Sequence, residues 1–281
     1  MESAGIRYRW FIENCHEFVL PSGEVLLVDP MLPPAEDKHW AGFYSGYTPD
    51  DLQRVDYVFI SHTHGDHIAQ LKEVVTKFNP FILGNTSTLT MLAKALDLPV
   101  RKFIPMVDYQ TYDFGSFKFT PYPGTHVATL GDQPISEAKA RFAAHDDFKT
   151  EEEADCMAFG TCFNNNFLLE APGGIRIAFI QGQYTALTKY AFMHMSPTLV
   201  IRQLSRIDLF PQIYDELLEC IEDTQTGLTA FMCHHHKEKD PVKTAAQLNA
   251  DLEAKGSLSR VFVPEKGRWM KVCNKIDFIE G

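Results

Sequence analysis

The sequence predicts an α/β fold, and three features carry that reading. Short apolar runs bounded by turn residues alternate with segments whose apolar residues recur at helical spacing. A strand-turn-strand signal opens the chain, and a second opens its latter half. No apolar run approaches the roughly 20 residues needed to span a bilayer, so no membrane partner is expected.

Arg7 to Ile12, Glu17 to Leu20 and Glu24 to Val28 read as strands, the last two joined by a Pro21-Ser22-Gly23 turn. Asp29-Pro30 ends the third. Val55 to Ile60 is a short apolar run suited to a buried strand. Ile68, Leu71, Val74, Val75 and Phe78 then recur at helical spacing until Asn79-Pro80 stops them. Phe81 to Leu83 reads as a strand, and Leu89, Leu92, Ala93 and Leu96 mark a second helix. Phe167 to Glu170, a Pro172-Gly173-Gly174 turn and Ile175 to Ile180 repeat the opening hairpin pattern, a hint of two related halves. Residues 212 to 223 and 241 to 255 read as helices, and Val261 to Pro264 and Trp269 to Asn274 as closing strands. Residues 130 to 155 are polar, charged and weakly patterned, and they mark an excursion near 130–160 that either flanks a substrate site or is a solvated loop.

The 281 residues suffice for a sizeable core, and a single domain over residues 1–281 is expected. With 26 basic and 37 acidic residues the chain is a poor partner for a nucleic-acid backbone, so no nucleic acid is expected. Cys15, Cys156, Cys162, Cys220, Cys233 and Cys273 are scattered without C-x-x-C spacing, as suits reduced, buried thiols. The N-terminus lacks the basic start and apolar stretch of a signal peptide, and a cytoplasmic location is expected.

The most specific feature is Ser61-His62-Thr63-His64-Gly65-Asp66-His67, placed where a strand gives way to a helix. His62, His64, Asp66 and His67 put four metal-ligand side chains within six residues. This mixed imidazole and carboxylate set suits zinc, iron or manganese. His62 and His64, two apart, point the same way if the chain is still extended. Asp66 and His67 then turn through the first helical turn toward a neighbouring point.

Behind a buried strand and ahead of a helix, this run resembles the signature of the metallo-β-lactamase superfamily. Glu24 to Pro30 resembles the family's early strand ending in Asp-Pro, Gly124-Thr125-His126 the segment carrying the next ligand, and Phe231 to His234 the late strand ending in the last one. The layout is most similar to the L-ascorbate-6-phosphate lactonase-like branch. The resemblance implies an αββα four-layer sandwich with a metal site at one edge of its two sheets. It also implies one metal on His62, His64 and His126, and a second on Asp66, His67 and His234. His235 and His236 follow directly, so the choice among these three histidines stays open. Zinc is the first expectation, as one or two ions, with manganese or iron also compatible. Asp66 would orient the attacking water or accept its proton.

The chain departs from the family at one place. Where a Gly-Asp step usually supplies a bridging carboxylate, it reads Gln181-Gly182-Gln183. Two divalent cations about 3.5–4 Å apart repel strongly, and a neutral amide offsets that poorly. Three outcomes stay open: one metal, two metals with another acid such as Asp132 or Asp155 recruited, or a scaffold that has lost hydrolysis. Tyr184 either donates to substrate or packs as an aromatic, and Asp29 is expected to support the ligands rather than to react. The expected function is a metal-dependent hydrolase of a small ester, lactone or phosphoester. The alternative is a non-hydrolytic metal- or ligand-binding protein on the same fold. A small-molecule substrate is the expected partner, and a homo-oligomer is compatible with the branch resembled.

Overall fold

Val25-Leu26-Leu27-Val28 is apolar on both faces of an extended chain, which suits a strand covered from both sides. In the computed structural model, whose described residues are 5–126, 150–160, 163–204, 211–233, 240–273 and 276–278, this run is β3 (Val25–Val28), buried throughout. Leu26 and Val28 face the core between two sheets, while Leu27 faces the helical layer outside.

The first sheet also contains β1 (Ile6–Trp10), β2 (His16–Val19), β4 (Tyr57–Phe59), β5 (Phe81–Asn85), β6 (Phe103–Met106), β14 (Met270–Val272) and β15 (Ile276–Phe278). Its order among the described residues is β15-β14-β1-β2-β3-β4-β5-β6. The second contains β7 (Tyr112–Asp113), β8 (Lys118–Gly124), β9 (Asn164–Ala171), β10 (Ile175–Ile180), β11 (Leu199–Leu204), β12 (Leu228–Cys233) and β13 (Arg260–Phe262), in the order β13-β12-β11-β10-β9-β8-β7.

The two sheets share a plan. Each has an antiparallel hairpin, β2–β3 in one and β9–β10 in the other, whose second strand begins a parallel run. Gly23 and Gly174 turn the two hairpins at φ 86° and 77°, a region glycine enters without steric penalty. The repeated hairpin expected from sequence is therefore real in the fold.

Parallel neighbours need crossovers, and helices supply them. After β4 come α1 (Gly65–Ile68) and α2 (Leu71–Phe78), and α3 (Thr86–Leu96) joins β5 to β6. In the second half α4 (Glu151–Gly160) precedes β9, while α5 (Ala186–Phe192), α6 (Gln212–Thr224) and α7 (Pro241–Ala254) link the parallel strands. The sequence pattern suggests one helix over 68–78, but Gln70 interrupts it. The Gln70 backbone N–H donates to Pro30 O and its side-chain oxygen accepts from Leu32 N, which fastens the break to the chain leaving β3. Asn79 takes the left-handed conformation (φ 50°) that closes α2. Side-chain caps on Asn85, Thr185 and Asp240 start α3, α5 and α7.

Between the sheets lies an aromatic core. Phe59, Phe119, Phe167 and Phe179 are buried, with neighbouring ring centroids 4.7–5.1 Å apart. Ile60, Ile82, Leu71, Val74, Leu89 and Leu92 join the outer face of the first sheet to its helices. Ala178, Ile180 and Val200 do the same for the second, against Phe192 and Cys220. The result is an αββα sandwich. Cys15, Cys156, Cys220 and Cys273 are buried. Among the described residues, no helix is long and apolar enough to cross a membrane.

Candidate metal site

In open sheets with parallel strands, sites form outside the strands' carboxyl ends. Here the chain leaves β4 through Ser61 to His67, leaves β3 through Asp29, leaves β8 through Thr125 and His126, and leaves β10 through Gln181 to Gln183. All four exits belong to one edge of the sandwich.

His62, His64 and His126 converge there, their nearest ring nitrogens all within 4.8 Å of one another. Ring centroids are 4.7 Å apart for His62 and His64, 4.9 Å for His62 and His126, and 4.4 Å for His64 and His126. His67 is fully buried with its centroid 3.8 Å from that of His62. The Asp66 carboxylate lies 3.7 Å from His67 Nε2.

Hydrogen bonds set which nitrogen each ring offers. Ser61 Oγ donates its one proton to Asp29 at 2.5 Å, so toward His62 Nδ1, 3.1 Å away, it can only accept. His62 therefore carries its proton on Nδ1 and offers the Nε2 lone pair. His64 Nε2 lies 3.0 Å from the Met157 carbonyl, which accepts only, so His64 offers Nδ1. His67 Nδ1 lies 2.7 Å from Asp29, so in its neutral form it offers Nε2. A carboxylate behind an imidazole is the usual way a ligating histidine is oriented.

Asp29 is held in place in turn. It is fully buried, takes φ 44°, and also accepts from the Ser61 backbone at 2.8 Å. Strained backbone of this kind persists only where its surroundings over-determine it. Asp29 thus supports the histidines from behind, as its place in the sequence leads one to expect.

Burial pushes the His64 imidazole down to about 4, with Asp66 offsetting part of the shift, so it is neutral and able to donate a lone pair at neutral pH. At His67 burial acts in the same direction, but the Asp66 and Asp29 carboxylates outweigh it and hold the imidazole above its ordinary value.

The exit from β10 differs in chemistry. Gln181 is buried, with its side-chain oxygen accepting from Asn14 at 2.6 Å and its amide donating to Asn164 at 2.5 Å. Gly182 has φ 69°, and a Cβ there would lie 2.0 Å from the Thr125 carbonyl, so only glycine lets this loop approach the one carrying His126. Gln183 N donates to that same carbonyl at 2.9 Å. Gln183 therefore sits one residue away from His126 across a backbone contact, as an amide where an acid was expected. Arg202, fully buried on β11, secures the turn by donating to the carbonyls of Ile180 and Gly182.

Two other residues were named from sequence. Tyr184 is buried among Ile180, Phe192 and Val200 with its hydroxyl on Asp223, a packed aromatic. Asp155 is half-exposed and paired with Lys94 at 3.0 Å. His234, His235, His236 and Asp132 lie outside the described residues. Ser61, Asn164 and Gln181 were not singled out from sequence. Of these, only Ser61 carries a signal, its adjacency to the histidine run.

Three imidazoles converging from two elements are a donor set suited to a divalent cation with a position left for water. The fold and this site define the class: an αββα sandwich with a three-histidine cluster at one edge. The family model of the metallo-beta-lactamase superfamily matches residues 8–139. Over 94 residues the chain is 24% identical to a UPF0173 metal-dependent hydrolase of Thermodesulfovibrio yellowstonii, covering 34% of this chain and 33% of that protein. The chain thus spans about a third of the length of that curated relative. It is similar in structure to Igni18, a metallo hydrolase from the archaeon Ignicoccus hospitalis, at 13% identity and TM-score 0.64 over 95% of this chain and 98% of that one. It is also similar to the isothiocyanate hydrolase from Delia radicum gut bacteria, at 15% identity and TM-score 0.66 over 94% and 98%. At such identities the likeness is one of fold.

Proposed function

We propose that this protein is a metal-dependent hydrolase of a small ester, lactone or phosphoester, with one divalent cation, zinc by first choice, held by His62, His64 and His126. The observation that carries this reading is the convergence of those three rings within 4.8 Å. A cation bound there would polarise a carbonyl or phosphoryl oxygen and bring a water's pKa toward neutrality. Asp66, beside His67 and partly exposed, is placed to orient that water and accept its proton. Asp29 and Ser61 hold His62 and His67 in the tautomers that face the centre. The amides of Gln181, Asn164 and Gln183 add hydrogen-bonding capacity without charge.

Gln183 favours a second reading, a metal- or ligand-binding protein on the same fold that does not hydrolyse. One experiment separates the two. Protein purified without chelator is assayed on a panel of lactones, aryl esters, phosphodiesters and an isothiocyanate, the last because a protein of the same fold acts on that group. Chelator-sensitive turnover that His64→Ala abolishes while folding survives supports the hydrolase. Metal binding without turnover across the panel supports the second reading.

A further inference from the structure

The last turn of α4 lies against the histidine motif. Thr63 Oγ1 donates to the Cys156 carbonyl at 2.5 Å, His64 Nε2 meets the Met157 carbonyl at 3.0 Å, and Gly65 N lies 3.2 Å from Met157 Sδ. The helix dipole makes the C-terminal end of a helix negative, so carbonyls near that end are natural acceptors for an imidazole N–H. The approach is close. A Cβ on Gly160 would stand 2.6 Å from His64 Cδ2, 2.9 Å from His64 N and 3.1 Å from Thr63 Oγ1. Any residue but glycine would push the ring or the strand exit aside. α4 is itself anchored away from the site, through buried Cys156 in the outer core and Asp155 on Lys94 of α3.

We infer that α4 is the positioning element for His64. The Met157 carbonyl holds the ring proton on Nε2 and so presents Nδ1, and Gly160 gives the helix the clearance to reach it. Gly160 and Met157 are positioning residues and take no part in bond making. This inference rests on the reading of His64 as a metal ligand, and the test separates the two.

Metal-free full-length protein is titrated with zinc in competition with a chromophoric chelator, and with cobalt while its visible ligand-field bands are recorded. Gly160→Ala is expected to weaken zinc binding about 10- to 100-fold, the range for lost outer-sphere partners, and to shift the cobalt bands. Thr63→Val, which removes only the hydroxyl bond to α4, should act in the same direction. Gly227→Ala, where a Cβ enters open space, should match the wild type. If His64→Ala abolishes tight zinc binding but folded Gly160→Ala keeps wild-type affinity and cobalt bands, the inference is overturned and the ligand reading stands. If His64→Ala binds zinc as the wild type does, the ligand reading fails and the inference falls with it. Should Gly160→Ala not fold, Thr63→Val decides, and unchanged zinc affinity in that variant overturns the inference.

Discussion

The hairpins β2–β3 and β9–β10 hold corresponding places in the two sheets, yet they deliver different chemistry where they end. β3 ends in Asp29, a fully buried carboxylate bonded to Ser61 and His67. β10 ends in Gln181, a buried amide bonded to Asn14, Asn164 and, through its backbone N–H, to the Asn166 side chain. The first exit supplies negative charge to imidazoles, which strengthens them as ligands. The second supplies only neutral hydrogen bonds, which fasten the sheets together: Asn14 reaches Gln181 across the sandwich, and Asn165 N reaches the Ser61 carbonyl at 3.0 Å. One plan, used twice, thus makes an end that supports the histidine cluster and a scaffolding end. The uncharged end is the reason to expect one cation rather than two.

The largest effect should come from the charged side. His62→Ala is expected to lower zinc affinity by more than about 100-fold, beyond what loss of an outer-sphere partner gives, as chelator competition would show. Asp29→Asn should cost about 10- to 100-fold in the same assay, because His62 and His67 lose the group that fixes their tautomers. On the uncharged side the currency changes from affinity to stability. Gln181→Ala leaves the buried Asn14 and Asn164 amides short of a partner and should cost about 1–3 kcal/mol in denaturant unfolding, with zinc affinity nearly unchanged. Should Gln181→Ala weaken zinc as much as Asp29→Asn does, the division of labour between the two ends is wrong.

A smaller effect lies behind the site. His16 is fully buried in the core, with Tyr8 Oη 3.2 Å from its Nδ1. Burial, with His67 adding to it, pushes its pKa from 6.5 down to about 3. The unfolded chain therefore takes up this proton near pH 6.5 while the folded chain resists it. Stability from this group is complete above pH 6.5 and falls as pH drops from there toward 3, by at most about 1.4 kcal/mol per pH unit. Unfolding midpoints at pH 7, 6 and 5 should show the slope, and His16→Phe should flatten it.

The two ends also differ in how readily sequence revealed them. β3 and most of β10 are apolar on both faces and the histidine run is dense, so the α/β class and the run from His62 to His67 could be read directly. The αββα sandwich and His126 followed from the family resemblance. β8 was hidden because Pro121 and Pro123 interrupt its pattern and remove ladder donors; they are tolerated because β7 pairs only with Phe119 and Lys118. The start of β9 was hidden because Asn164, Asn165 and Asn166 are polar, and they are buried to bond the neighbouring loops rather than to fill a core. α4 carries no apolar stripe to betray it, since Gly160 faces a histidine ring and its carbonyls, which no sequence pattern reports, do the bonding. The excursion expected over 130–160 is, from Glu151 on, a helix against the metal motif. Asp29 was legible as a supporting acid, though not its left-handed backbone.

The central claim is one tightly held cation at His62, His64 and His126, with no second because Gln183 brings no charge. Metal content per chain, measured by elemental analysis on wild type and on Gln183→Asp purified without chelator or added metal, tests it most directly. The account predicts about one metal per wild-type chain and about two in the variant. Two metals in the wild type, or none that added zinc, manganese or iron could restore, would contradict it.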